Sequence, residues 1–331
     1  TLATKGNLNN EIGLPLTLLS LVPKHQWAVV ELGMNHPGEI ARLTEICQPD
    51  IGVITNIGPA HLEGVGSIEG VRDAKGELLD HMSIAATAVL NADNRYSMQL
   101  AERCRQTTVY FGQSSTAQVR AESIEMQTQQ TQFDLILPKA TVRLRLRSPG
   151  IFMVQNALAA AAVGFLAGMT ADKIKTGLEK FKPVHGRLNF HKLANGLTLI
   201  DDSYNANPES MQAAIQTLAA LKKSHRGICV LGDMLELGTH ADFLHRHIGS
   251  TVAQHAIDRL FITGHYAETV AAGAREEGMA IANIVTGSKD ELVRALISEM
   301  RPHDWILVKG SRGMRMETIV DALTRWAASL N

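Results

Sequence analysis

Between Trp27 and Glu77 the chain places Glu31, Asn35-His36, Asn56, His61 and Lys75 within fifty residues of one another. A carboxylate, an imidazole and a lysine can serve one divalent cation only if the lysine is not an ammonium. A neutral lysine amine can add to carbon dioxide: the new C–N bond gives a carbamate, a proton leaves, and the side chain ends in a carboxylate on a long arm. Burial favours the neutral amine that this needs. Glu31, His61 and carbamylated Lys75 are therefore candidate metal ligands, with His61 and Lys75 also candidate catalytic groups. Each residue has an ordinary reading as well. Glu31 can be a strand-end carboxylate, His61 a satisfied loop histidine and Lys75 a solvated helix residue.

The elements that would position these groups are short. Trp27–Leu32 and Ile51–Thr55 read as buried parallel strands, and Ser67–His81 as a helix. In an open α/β sheet the chemistry collects beyond the carboxyl ends of the strands. Glu31, Asn56 and His61 are then expected at one sheet edge, with the Lys75 helix starting beside them. Further on, Thr87–Leu90 and Thr107–Phe111 alternate with a helix, as in a doubly wound sheet. Ala117–Glu125, Gln132–Leu137 and Thr141–Arg147 read as short antiparallel strands, the arginines of VRLRLR forming a solvated face. A helix over Val154–Ala167, opened by Asn156, precedes one over Asp172–Phe181.

Lys182–Arg187 is punctuated by Pro183 and Gly186 and reads as a hinge. Beyond it, Asn195-Gly196 marks a hairpin. The strands Gly227–Leu231, Arg259–Thr263 and Ile281–Val285 follow, each with a helix, and Trp305–Lys309 is the last. The fold class expected is α/β: a central, doubly wound, mostly parallel sheet domain carrying a small antiparallel sheet over 1–185, and a Rossmann-like α/β domain over 186–331. No GxGxxG follows any strand, which argues against a dinucleotide site. Strand ends collect a second set of candidates. Asp202 and Asn207 precede a helix, which they could merely cap. Asp233, Lys309, Ser311 and Arg312 lie on loops facing the crevice and could grip a small zwitterion. His240, His245 and His247 are spaced poorly for a metal and read as surface residues.

The 331 residues carry a formal charge of -1, with 45% hydrophobic and 20% charged residues. This is ordinary for a globular enzyme of two domains and argues against a nucleic-acid partner or a polybasic membrane surface. Cys47, Cys104 and Cys229 are scattered, without a CxxC pair, so a reducing, cytoplasmic setting without disulfides is expected. No apolar run reaches membrane-spanning length.

TKGNLNNEIGLPLTLL, VVELGMNHPGEI, TNIGPAHLEG, AKGE, NADN, NALAAAA, GRLN, DDSYNANPESM, GDMLELG and KGSRGMRME occur in the order seen in the Mur ligases. From Thr4 to Glu317 the chain resembles that family, and within it the subgroup that joins D-alanyl-D-alanine to UDP-N-acetylmuramoyl-tripeptide. The resemblance implies an ATP- and Mg2+-dependent amide ligase of peptidoglycan precursor synthesis, acting as a monomer through an acyl phosphate. It implies that Asn7, Asn9 and Asn10 contact the muramoyl substrate, where their ordinary role is helix capping. It implies nucleotide contacts from Asn156, Arg187, Asp202 and Asn207, with Arg187 reaching the phosphates on domain closure. The chain departs from the family pattern at Phe152 and Met153, where His-Asn is usual, and at His185, where Pro is common. No GxxxxGK[ST] phosphate cradle occurs in it. The chain is therefore expected to be a fragment whose ATP chemistry returns when an upstream P-loop is joined to it. Another amide ligase, adding diaminopimelate, lysine or glutamate, shares the ATP machinery, and a non-catalytic binding module is the remaining alternative.

Overall fold

The computed structural model describes residues 1–330; Asn331, the end of the expected second domain, lies outside them. The chain forms two compact units. The first comprises Thr1–Ile124, Phe133–Leu144 and Val154–Leu178, and the second Glu125–Gln132, Arg145–Met153 and Glu179–Asn331.

One sheet runs in the order Ile51–Ile54, Thr87–Asn91, Thr107–Gly112, Val119–Gln127, Gln130–Leu137, Ala140–Leu146. Neighbours among the first four strands are parallel. The last three strands are joined through Thr128-Gln129 and Pro138-Lys139 alone, links that permit only antiparallel pairing. The antiparallel strands anticipated as a small sheet of their own thus continue the parallel one. Their alternation is regular: Thr131, Phe133, Leu135 and Leu137 are buried while the residues between them are half-exposed. Arg143 of the VRLRLR run reaches the Asp134 carboxylate at 3.4 Å.

The expectation for Trp27–Leu32 needs correction. Only Ala28–Val29 is a strand, paired in parallel with Leu2–Ala3 in a separate two-stranded sheet. Both of its residues are exposed. An apolar run is buried only if other elements cover it, and this run pairs with a single two-residue neighbour. Glu31 therefore follows a strand outside the six-stranded sheet.

The helix Ile68–His81 forms as the sequence indicates. Ser67 caps it by accepting from the Gly70 N–H, and Val71, Ala74, Leu78 and Leu79 make one buried stripe at helical spacing. Lys75 sits next to that stripe and is half-buried.

In the second unit a sheet runs in the order Ile284–Thr286, Arg259–Ile262, Gly227–Leu231, Trp305–Lys309, Thr198–Asp202, Asn189–Lys192. Only the last pairing is antiparallel, made by the hairpin that Asn195-Gly196 turns. The strand nearest the end of the chain is thus inserted between Thr198–Asp202 and Gly227–Leu231. Its core is Leu199, Ile228, Val230, Phe261, Ile306 and Val308, covered by Leu292, Leu296, Ile319 and Leu323 of two helices. Among the described residues no helix is long and apolar enough to cross a membrane.

Candidate active site

In the first unit the loop after Ala28–Val29 is fixed at both ends. Glu31 N–H donates to Thr4 Oγ1 at 2.9 Å, and the Asn9 side-chain amide donates to Glu31 Oε1 at 2.8 Å. The Gly33 N–H donates to the Asn9 carbonyl at 2.8 Å. A Cβ on Gly33 would come within 2.7 Å of the Asn9 amide, so only glycine lets Asn9 lie across this loop. Asn10 takes the capping role: its Oδ1 accepts from Ile12 N and Gly13 N. Asn7 contributes a backbone bond, its carbonyl accepting from Asn9 N.

The other end of the loop is held by two carboxylates. Glu39 Oε2 accepts from Asn35 N and His36 N, and Glu77 accepts from Gly38 N and Ala41 N. The Asn35 N–H holds the Glu39 carboxyl below its usual value, against the opposing effect of burial, with further help from the His36 and His61 imidazoles. His61 itself has a left-handed backbone, φ 57°, at the start of the short helix Leu62–Val65. This is uncommon for a residue with a side chain, and such conformations concentrate at functional sites. A Cβ on Gly64 would come within 1.9 Å of the Asn35 carbonyl, so that helix lies directly against the Glu31–Gly38 loop.

Lys75 Nζ donates to the Asn56 carbonyl at 2.7 Å. Asn94 anchors the same turn, giving its amide to Asn56 Oδ1 at 2.7 Å and to the Ile57 carbonyl at 2.9 Å while capping the helix Arg95–Ala101. Two sequence-predicted residues, Asn56 and Lys75, are therefore joined directly, and Glu31 is joined to Asn9. Residue-by-residue reading missed the supporting roles of Glu39, Glu77 and Asn94. Glu39 and Glu77 lie within a turn of His36 and Lys75 in sequence, whereas Asn94 is remote from Asn56 and had no local signal. Among the described residues no three His, Cys, Asp or Glu side chains form a metal-holding group. Glu31 is joined to Asn9 and Lys75 to Asn56, not to each other, and the three sequence candidates Glu31, His61 and Lys75 could serve one hard cation only with Lys75 as a carbamate. A carbamate keeps one N–H, which can continue to donate to Asn56, and adds two oxygens of the kind magnesium favours.

In the second unit the crest of the sheet carries a buried ion pair. Asp202 and Lys309 end neighbouring parallel strands in register, and Lys309 Nζ lies 2.7 Å from Asp202 Oδ2. Lys309 also donates to the Asn205 carbonyl, and Asp202 Oδ1 accepts from Leu188 N. Burial raises the Asp202 carboxyl above its ordinary value, and the Lys309 ammonium opposes that rise. Asn207 and Ser210 form a capping box on the helix Pro208–Lys222, so the capping role of Asn207 is realised.

Asp233 and Ser311 are buried and spend their bonds on loops. Asp233 accepts from His265 N and Tyr266 N, and Ser311 donates to the Ala206 carbonyl and accepts from Leu235 N. Arg312 is exposed and pairs with Glu317 at 3.0 Å. The guanidinium carbons of Arg187 and Arg312 lie 4.9 and 5.6 Å from the centre of one ring, that of Tyr204. Asn156 lies in the first turns of the helix Ile151–Leu166.

The expectation that His245 is a surface residue is overturned. It is 1% exposed, its Nε2 accepts from Met234 N at 2.9 Å, and its Nδ1–H donates to the Ala241 carbonyl. Its ring stacks on Tyr266 at 4.2 Å. Spacing gave no sign of this, because the loop Gly232–Gly238 that needs its lone pair is remote from the helix periodicity. His240 and His247 are exposed.

Comparison with known proteins gives this arrangement a context. Residues 1–164 match the Mur ligase middle domain, and residues 186–312 match the family described as Mur ligase, glutamate ligase domain. The UDP-N-acetylmuramoyl-tripeptide–D-alanyl-D-alanine ligase of Escherichia coli is 40% identical over 327 residues, covering 98% of this chain and 71% of that protein. A crystal structure of MurF from Acinetobacter baumannii superposes with a TM-score of 0.91 at 34% identity, covering 98% of this chain and 70% of that one. The MurF ligase of Thermotoga maritima, solved in complex with ADP, gives a TM-score of 0.87 at 26% identity over 99% of this chain and 74% of that one. With two family domains matched and that identity over nearly its whole length, the chain belongs to the Mur ligase family.

Proposed function

We propose that this chain forms the middle domain (1–185) and the ligase domain (186–331) of an enzyme that joins D-alanyl-D-alanine to UDP-N-acetylmuramoyl-tripeptide with ATP. The observation that carries the reading is the 40% identity, across 98% of the chain, with an Escherichia coli enzyme that bears this activity in its name. In the reaction the terminal carboxylate of the tripeptide attacks the γ-phosphorus of ATP, giving an acyl phosphate and ADP. The amine of D-alanyl-D-alanine then attacks the acyl carbon, loses a proton and expels inorganic phosphate.

The roles assigned to the residues follow from their chemistry. Glu31, His61 and carbamylated Lys75 would hold Mg2+, which when bound offsets the charge of phosphate and carboxylate oxygens. Asn9 orients Glu31, and Asn56 orients Lys75. Asn7 and Asn10 flank the muramoyl side of the same loop. Arg187 stays charged and offers a planar fork to phosphoryl oxygens. Asp202 keeps a lone pair on each oxygen for ribose hydroxyls, and Asn156 and the Asn207 amide N–H2 offer contacts to the nucleotide. Asp233, Lys309 and Ser311 shape the loop ends that receive the dipeptide. The enzyme works as a monomer in the cytoplasm, in keeping with its three free cysteines.

The test uses the whole gene product with ATP, Mg2+ and the muramoyl tripeptide. D-alanyl-D-alanine should be ligated, and diaminopimelate, lysine and glutamate should not. Preference for one of those amino acids would assign another ligase activity, and absence of turnover with binding retained would assign a binding module.

A further inference from the structure

Tyr204 lies just past the strand Thr198–Asp202, between two arginines that are far apart in sequence. Arg187 comes from the segment before the hairpin and Arg312 from the turn after the strand Trp305–Lys309. Their guanidinium carbons approach the Tyr204 ring at 4.9 and 5.6 Å. The two cations therefore share one ring and lie no farther apart than those two spans laid end to end. The backbone reinforces the arrangement. Tyr204 N–H donates to the Gly186 carbonyl at 2.9 Å, and a Cβ on Gly186, which has φ +73°, would come within 3.1 Å of the Tyr204 Cβ. The residue next to Arg187 is thus clamped to the residue that carries the ring.

Among the described residues no carboxylate lies within ion-pair distance of Arg187, and Arg312 meets only Glu317 at 3.0 Å. Two like charges gathered on one side of a protein repel unless something between them is attractive to both. The negative face of an aromatic ring is attractive to both, and so is an anion. A guanidinium fork fits carboxylate and phosphoryl oxygens alike, but a phosphoryl group, with three oxygens, can engage two forks at once.

We infer that Tyr204 is a positioning residue that gathers Arg187 and Arg312 around one phosphoryl group, so that Arg312 serves the phosphate and not the dipeptide. This rests on the proposed ligase reading, in which that group is the γ-phosphate of ATP and then the acyl phosphate. The ring contributes its quadrupole; its hydroxyl is not needed.

The experiment compares Tyr204→Phe with Tyr204→Leu in the whole gene product. Phe keeps the ring face and Leu keeps the bulk. In steady-state ligation, Leu should lower kcat about tenfold with KM for D-alanyl-D-alanine within about twofold, and Phe should stay within about threefold of the parent. In the Arg187→Ala, Arg312→Ala background the same Leu change should have no further effect, since it acts through those two groups. Inorganic tripolyphosphate binding, measured by calorimetry, provides a readout independent of ligation and should weaken with Leu but not with Phe. Equal losses for Phe and Leu, an undiminished Leu effect without the arginines, a raised KM for the dipeptide alone, or no tripolyphosphate binding by the parent overturns the inference. Ring-dependent tripolyphosphate binding without ligation would sink the ligase reading and leave this one standing.

Discussion

Asn9 and Glu31, twenty-two residues apart in sequence, are joined by a 2.8 Å hydrogen bond from amide to carboxylate. Glu31 is an exposed carboxylate, so without Asn9 its rotamers would be open to water on most sides. Holding a ligand in one orientation before its cation arrives removes an ordering cost from binding.

The first prediction follows from that pair. If Glu31 holds Mg2+ as proposed, Asn9→Ala should raise the Mg2+ concentration needed for ligation about tenfold or more, the size expected for loss of an outer contact to a metal ligand. It should leave the melting temperature nearly unchanged, because the contact lies at the surface. A Mg2+ titration of initial rate reads this, and an unshifted titration would remove Asn9 from the site.

The second concerns Lys75. Lys75→Arg keeps length and charge but stays protonated, so it cannot take up carbon dioxide. A phosphate-binding cation would tolerate the change, whereas a carbamate would not. Ligation should fall to near zero in a folded variant, and Lys75→Ala should regain part of its activity when short carboxylic acids are supplied. Substantial turnover by Lys75→Arg would refute the carbamate.

Arg187→Ala should lower kcat much more than it weakens binding of the muramoyl substrate, if the guanidinium meets the phosphates as charge builds on them. Loss of one charge-assisted contact in a closed site costs about 2–4 kcal/mol of barrier. An unchanged kcat would leave Arg187 in solvent.

His245 sets a pH dependence. Burial lowers its pKa, against the smaller opposing effect of its bond to the Ala241 carbonyl. The unfolded chain therefore takes up this proton first on acidification, near the ordinary histidine value of about 6.5. The stability tied to the neutral ring is fully present above that value and is lost as pH falls from it towards the lower folded value. Denaturant midpoints measured from pH 7.5 to 5 should fall for the parent and fall less for His245→Gln. That variant should itself lose about 1–3 kcal/mol at pH 7.5 if Met234 N–H is left unsatisfied.

Much of this arrangement was legible beforehand, and the misses have physical causes. Gly227–Leu231 and Trp305–Lys309 were read to the residue because each is an unbroken apolar run buried on both faces. Lys75 falls on the helix expected over Ser67–His81, and the structure shows why that helix forms: a Ser67 cap and a periodic buried stripe. Trp27–Leu32 failed because the same apolar signal says nothing about what covers it, and His245 because its partner is a loop N–H that no periodicity encodes. The Tyr204 cluster was hidden for a related reason: Arg187 and Arg312 meet only through strand order, and a sheet's order is written in no local stretch.

The insertion of Trp305–Lys309 between Thr198–Asp202 and Gly227–Leu231, which both precede it in the chain by more than seventy residues, has a consequence for biosynthesis. Among the described residues, Asp202 acquires its buried cation from Lys309, the final residue of that strand. During translation the halves of the sheet must wait, with a slot open between them, until the ribosome has released residue 309. Non-local strand insertion of this kind is slow and exposes apolar edges while it is pending. A ribosome stalled before that point would hold a nascent chain whose Asp202 is unpaired and whose central slot is a ready target for chaperones, so nucleotide-binding competence should appear abruptly, late in synthesis, and not in proportion to chain length.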